Sequence, residues 1–274
     1  MIVKTHAVAL TVRPFSETSH IVTWLSRDHG KISTIVKGAQ RPRNQFLGQY
    51  DLFYTCELVF YLRLFQGLHV VKECCPLEAR PNLRRCWPGA VCASYYCGLA
   101  AGAAPFYAAQ PSLYALLESA LDFFAAGGPL RALETGLVWF ELRLLDALGY
   151  APRLKSCLLC RRPAEAGRGP VFFSAERGGV ICGQCARGGG EKSGAMSPDS
   201  FALLKYWQAA AGVEAIRNVI CSERQLEDAE GIVGQFLQRH LESENTGRDI
   251  AFSLLKPLRR PARRKAAAAR PVSP

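Results

Sequence analysis

Two cysteine pairs carry the clearest chemistry in this sequence: Cys157 and Cys160 in CLLC, and Cys182 and Cys185 in CGQC. A C-x-x-C turn lets two sulfurs face one point, and two such knuckles supply the four soft ligands of a tetrahedral Zn²⁺ site. Twenty-one residues lie between the pairs, just outside the usual spacing of such ribbons. Within that gap PVFFSAERGGVIC offers two short β runs around Gly178 and Gly179, a hairpin that would bring the second knuckle back to the first. A redox pair fits less well, because it expects a single C-x-x-C at the start of a helix in a βαβ setting. Four thiolates also close the coordination shell and leave no place for water or substrate. The expectation is one structural Zn²⁺ per chain, folding a segment with little core of its own. Cys56, Cys74, Cys75, Cys86, Cys92, Cys97 and Cys221 are spaced irregularly among apolar residues, and the total of eleven is odd. They read as small buried hydrophobes rather than a disulfide framework.

The second feature is charge. The 274 residues carry a formal net charge of +11, which favours polyanionic partners without choosing among them. Arg13, Arg27, Lys31, Lys37, Arg41 and Arg43 crowd the N-terminal region, the last three on one connection, VKGAQRPR. Such cations can pair with successive phosphates, giving affinity and salt sensitivity with little sequence information. Phe15, Trp24, Phe46 and Tyr50 lie near them in sequence as candidates for stacking on unpaired bases, although Trp24, alternating with apolar neighbours, also reads as core. The five histidines show no ligand spacing, and FSETSH reads as a turn. No paired carboxylates, nucleophile elbow or intact phosphate loop is present. RGGGEKSG fails the last pattern at Glu191 and reads as a linker. The chain is therefore read as a binding protein and not an enzyme.

The elements that must hold these residues follow from periodicity. HAVALTV, HIVTWLS, KISTIVK, CELVFYLRLF and LHVVKE are five short strands within about eighty residues, the size and strand count of an OB-type barrel. After Pro81 the texture becomes helical, near 82–104, 111–126 and 130–148. In the last of these Leu130, Leu133, Leu137, Phe140, Leu144 and Leu148 form one stripe, stopped by Gly149 and Pro152. Ser197-Pro198 starts another helix, and Ser222 with Gln225 resembles a capping box before Leu226, Val233, Phe236, Leu237 and Leu241. The fold class expected is α+β and multidomain. An OB barrel (1–80) precedes a helical domain (81–243) interrupted by the zinc-ribbon-like four-cysteine segment (153–190), and a basic tail (244–274) follows. From Lys256 onward that tail carries seven Lys and Arg and no acid, and is expected to be disordered. The start MIVKTHAVALTVRPF lacks a signal-like apolar run, and no stretch of eighteen apolar residues offers a membrane span. A cytoplasmic protein with no membrane partner is expected.

RPFSETSHIVTWLSRDHGKISTIVKGAQRPRNQFLG, followed by LLDALGYAPRLKSCLLC and FFSAERGGVICGQC, resembles the RecO recombination and repair proteins of bacteria, in the same order from about residue 4 to residue 243. The resemblance implies an OB-fold, then a helical domain with a zinc-binding insertion. It also implies binding of single- and double-stranded DNA and annealing of complementary strands. Loading of RecA-type recombinase on strands coated by single-stranded-DNA-binding protein, with RecR and commonly RecF as partners, belongs to the same implication, as does a place at the nucleoid. On this reading the six N-terminal cations are the DNA-binding residues. An RNA-binding or translation-associated OB/zinc protein is the main alternative, and a zinc-dependent hydrolase the next.

Overall fold

The computed structural model describes residues 1–63, 67–167, 169–189, 195–210, 212–217, 219–241 and 246–259. Its first part is a closed barrel of β1 (Ile2–Ser16), β2 (Ser19–Ser26), β3 (Gly30–Val36), β4 (Thr55–Tyr61) and β5 (His69–Glu78), in the order β1-β2-β3-β5-β4. Every ladder is antiparallel except β3 with β5, parallel at Thr34 with His69 and Ile35 with Val70. That wiring makes it an OB-type Greek-key barrel. Strand β3 shows the cause in its strict alternation: Ile32, Thr34 and Val36 point inward while Lys31, Ser33 and Ile35 lie at the surface. Ala7, Ala9, Val22, Trp24, Ile32, Val36, Leu58 and Phe60 fill the interior. Strand β1 is longer than HAVALTV suggests because its first half pairs with β4 and its second half with β2.

The other phase of β1 and β2 is partly apolar as well. Val8, Leu10 and Leu25 leave the barrel and join the core of a helical body. This body begins with α1 (Trp87–Ala103), α2 (Pro111–Ala126) and α3 (Leu130–Ala147), the last ending at Gly149 in the left-handed region (φ 83°). An insertion follows: β6 (Val171–Ser174), β7 (Gly179–Cys182), α4 (Gly183–Gly189) and β8 (Ala195–Met196), in a three-stranded sheet ordered β7-β6-β8. Strand β8 was not anticipated, being two residues long. The chain then returns to the body through α5 (Pro198–Ala209), α6 (Glu214–Arg217), α7 (Glu223–Leu241) and α8 (Thr246–Leu255). Ser197 caps α5 by accepting from the Ser200 N–H at 3.1 Å. Ser222 and Gln225 form the reciprocal box at α7, with 2.8 Å and 3.2 Å bonds.

The insertion's apolar residues Leu154, Val171, Phe173, Val180 and Met196 belong to the same apolar cluster as the helices. One expectation needs correction. A tail does not begin at 244: α8 buries Ala251, Phe252 and Leu255 against the body, because its apolar residues recur at helical spacing. The Arg/Ala/Pro run from residue 260 lies outside the described residues, as do residues 190–194 of RGGGEKSG.

Polar contacts join barrel and body besides their shared core, among them the following two. Arg80, almost fully buried, donates from Nε to Asp122 Oδ1 on α2 (2.7 Å) and from Nη1 to the Phe53 carbonyl (2.8 Å) and Thr55 Oγ1 (3.0 Å). The α1–α2 connection pairs with β3 through Lys31 N–H to the Pro105 carbonyl (3.2 Å) and Tyr107 N–H to the Lys31 carbonyl (3.1 Å). Gly30 permits this approach. It holds φ at 66°, and a Cβ there would fall 2.0 Å from the Ala108 carbonyl oxygen. Gly30→Ala is expected to cost about 1–3 kcal/mol in urea unfolding. Among the described residues no helix is long and apolar enough to cross a membrane.

Candidate nucleic-acid interface and metal centre

The first site is at one end of the barrel. The β1–β2 hairpin turns at Glu17 and Thr18, and the β3–β4 connection, residues 37–54, folds against it. Gln40 donates its N–H to the Thr18 carbonyl (3.1 Å) and its amide to the Ser16 and Ser19 carbonyls (3.3 and 3.4 Å). Asn44 shapes the connection from within, donating to the carbonyls of Ala39 (2.9 Å) and Arg41 (2.8 Å) and accepting from the Phe46 N–H (2.8 Å). Phe46 then plugs into the barrel core. The result brings Arg13, Lys37, Arg41 and Arg43 to the same end, all exposed and none in an ion pair among the described residues. Gln40 and Asn44 were not singled out from the sequence; the polar turn chemistry around RPRN was the available signal.

The other two cations lie elsewhere. Arg27 follows Ser26 at the far end of β2, roughly 20 Å away along the strand. Its guanidinium meets Asp28 at 3.3 Å. Lys31 donates from Nζ to the Ala101 carbonyl of α1 (2.6 Å) and sits 4.3 Å from the centre of the Phe106 ring, and burial lowers its pKa. Both serve local and interdomain contacts. The aromatic candidates also divide. Trp24 is fully buried with its indole N–H on Thr34 Oγ1 (2.9 Å), Phe46 is buried, and Tyr50 is hydrogen-bonded to His20 Nδ1 (2.8 Å). Of the four, Phe15 is the one left open, 55% exposed at the hairpin.

The second site gathers the four cysteines. Cys157, Cys160, Cys182 and Cys185 place their sulfurs within 4.8 Å of one another, and Cys160 and Cys182 stand 3.8 Å apart. Four sulfurs at tetrahedral corners about 2.3 Å from one ion would be separated by about 3.8 Å, so the residues present fit a single tetrahedral ion. The hairpin of β6 and β7 delivers the second knuckle as the sequence suggests, and Leu158 N–H to the Val180 carbonyl (2.9 Å) holds the first knuckle against β7. Burial opposes ionisation of Cys157, but N–H donors from Cys160, Cys182 and Leu159 outweigh it and bring its pKa down to about 6. Hydrogen bonds to the sulfurs of Cys182 and Cys160 push Cys185 the other way, to about 12. Four crowded sulfurs do not all ionise without a cation among them. The remaining cysteines match the buried reading at Cys56, Cys74, Cys92, Cys97 and Cys221. Cys86 is half-buried and Cys75 exposed.

Fold and sites together define a two-part protein, an OB barrel with an open cationic end joined to a helical body that carries a four-cysteine centre able to hold one metal ion. Residues 1–80 match the family described as "Recombination protein O N terminal", and residues 89–249 match "Recombination protein O C terminal". The chain belongs to the RecO family. It is 34% identical over 180 residues to a protein named "DNA repair protein RecO" from Symbiobacterium thermophilum, covering 65% of this chain and 69% of that relative. A second protein of that name, from Streptomyces griseus, is 29% identical over 244 residues, covering 86% of this chain and 92% of the relative.

Proposed function

We propose that this chain is a DNA-binding mediator of recombinational repair. It binds single- and double-stranded DNA, anneals complementary strands and, with RecR and RecF, helps load a RecA-type recombinase on strands coated by single-stranded-DNA-binding protein. It does so in the cytoplasm, at the nucleoid. Family membership and the names of the relatives support the repair assignment. The observation that carries the binding reading is the barrel end, where Arg13, Lys37, Arg41 and Arg43 stand exposed and, among the described residues, in no ion pair, on a connection fastened to the β1–β2 hairpin. Two complementary strands repel through their phosphates, and a cationic surface lowers that barrier while leaving bases free to pair. No covalent step is required. Phe15 beside those cations supplies a face for an unpaired base. The ion proposed for the four thiolates is Zn²⁺, in a structural role.

Arg41→Ala/Arg43→Ala tests the reading. Its affinity for a single-stranded oligonucleotide should fall with the fold intact by circular dichroism, and the slope of log affinity against log salt should become shallower by about 1.4, at about 0.7 for each phosphate no longer neutralised. Unchanged affinity and slope would remove the barrel end as the strand-binding surface. A stronger preference for RNA in competition would favour the RNA-binding alternative.

A further inference from the structure

The insertion is strongly basic in its own right. Between residues 153 and 190 there are seven Lys and Arg against two Glu. At its junction with the helical body lies a cleft of about 500 Å³, walled by the end of α3, the segment 151–156 and α5. Pro152 and Leu154 turn inward and are buried, so the alternating positions Arg153 and Lys155 turn out together, exposed and in no ion pair among the described residues. Lys205 on α5 reaches the same cleft with Nζ tied once, to the Ala164 carbonyl (2.9 Å), leaving two of its three donors. Asp146 is the one acid lining the cleft, and Arg143 already pairs with it at 3.0 Å. The walls are fixed: Gln208 donates to the Pro152 carbonyl (2.6 Å), while Arg153 exchanges two backbone bonds with the hairpin turn, to the Gly178 carbonyl (2.9 Å) and from the Val180 N–H (3.0 Å). Gly179 makes that contact possible, since a Cβ there would fall 2.4 Å from the Arg153 carbonyl oxygen.

From this arrangement we infer that the cleft lined by Arg153, Lys155 and Lys205 is a second nucleic-acid site, taking the phosphodiester backbone of a second strand. The inference rests on the DNA-binding reading of the barrel end and extends it. Annealing requires two strands held by one molecule or by two, and a chain with two separate cationic surfaces holds both itself. The surfaces belong to different elements, so each can be disabled alone.

The experiment uses the full-length metal-loaded chain and a short oligothymidylate, with stoichiometry and stepwise affinities from native mass spectrometry and titration, and annealing of two complementary oligonucleotides followed by fluorescence. The wild type should bind two oligonucleotides. Arg153→Ala/Lys155→Ala should bind the first within about twofold of wild type but the second about tenfold more weakly, with the salt slope of the second step shallower by about 1.4. Annealing should fall with the second step. Arg153→Lys/Lys155→Arg, which keeps both charges, should restore it, separating charge from any disturbance of the fold. Saturation at one oligonucleotide, or an unaffected second step in the Ala variant, would overturn the inference while leaving the barrel-end reading in place; loss of all binding in the wild type would overturn that reading instead. Binding of an oligoglutamate peptide to the cleft that the Ala variant abolishes, with no second oligonucleotide bound, would reassign the cleft to an acidic protein segment.

Discussion

Cys182→Ser should leave the purified chain with no bound metal where the parent holds one ion, as read by elemental analysis of protein prepared without added metal. The size of the effect follows from the site. Apparent binding energies of structural zinc sites in small peptides are on the order of 10 kcal/mol, and most of that requires all four sulfurs to reach one ion. Here the consequence is local. Val171, Phe173 and Val180 are buried in the main apolar core, and Phe173 packs edge-on against Phe236 of α7 with ring centres 5.7 Å apart. The hairpin therefore has packing of its own, whereas the CLLC and CGQC turns have mainly their sulfurs. Loss of the ion should expose the chain to limited proteolysis around residues 157–162 and 182–189 while β6, β7 and the barrel stay protected. Retention of one ion per chain in the variant would remove the four-thiolate assignment, and cleavage within the barrel would show that the centre supports far more of the molecule than its neighbourhood.

Where the sequence was legible, one physical signal decided each element. The stripe ending at Leu148, the Ser197 and Ser222 caps and the spacing of the four cysteines each act through contacts within a few residues or through a rigid chemical preference. What was not legible depended on contacts remote in sequence. Lys31 looks like any surface cation in KISTIVK; its role is set by Ala101 and Phe106, seventy residues on. Arg27 and Arg41 are equivalent by composition, and only the register of β2 with β3 sends them to opposite ends of the barrel. Nothing beside the first knuckle marks out Arg153 and Lys155, because the cleft they line is completed by α5 from beyond the insertion. The partner of the insertion's apolar residues is remote in the same way: Phe173 packs on Phe236 of α7.

The other large expected effect lies at the C-terminal helix. Helix α8 is anchored by a charge inside the protein. Arg248 donates from Nε to Glu141 Oε1 (2.7 Å) and from Nη2 to Glu141 Oε2 (3.0 Å) and to the Glu230 carbonyl (2.9 Å). Tyr95 donates to the same carboxylate (2.7 Å), and Glu141 is fully buried on α3. Burial opposes the charge on Arg248, but the Glu141 carboxylate outweighs it and raises the guanidinium pKa further. Removing one partner leaves the other uncompensated, so Arg248→Ala should destabilise the chain by about 3–5 kcal/mol in urea unfolding and free α8 for proteolysis near residue 246. The net worth of the pair is a different quantity, because both ions were desolvated to form it. Glu141→Leu/Arg248→Met, which removes both charges and roughly keeps their volume, should recover most of that loss. If the double variant is as unstable as Arg248→Ala, the anchor is the geometry of the hydrogen bonds and not the balance of charge. If Arg248→Ala costs less than about 1 kcal/mol, α8 is held by its apolar face, Ala251, Phe252 and Leu255, and the buried pair has no part in keeping the C-terminal helix on the body.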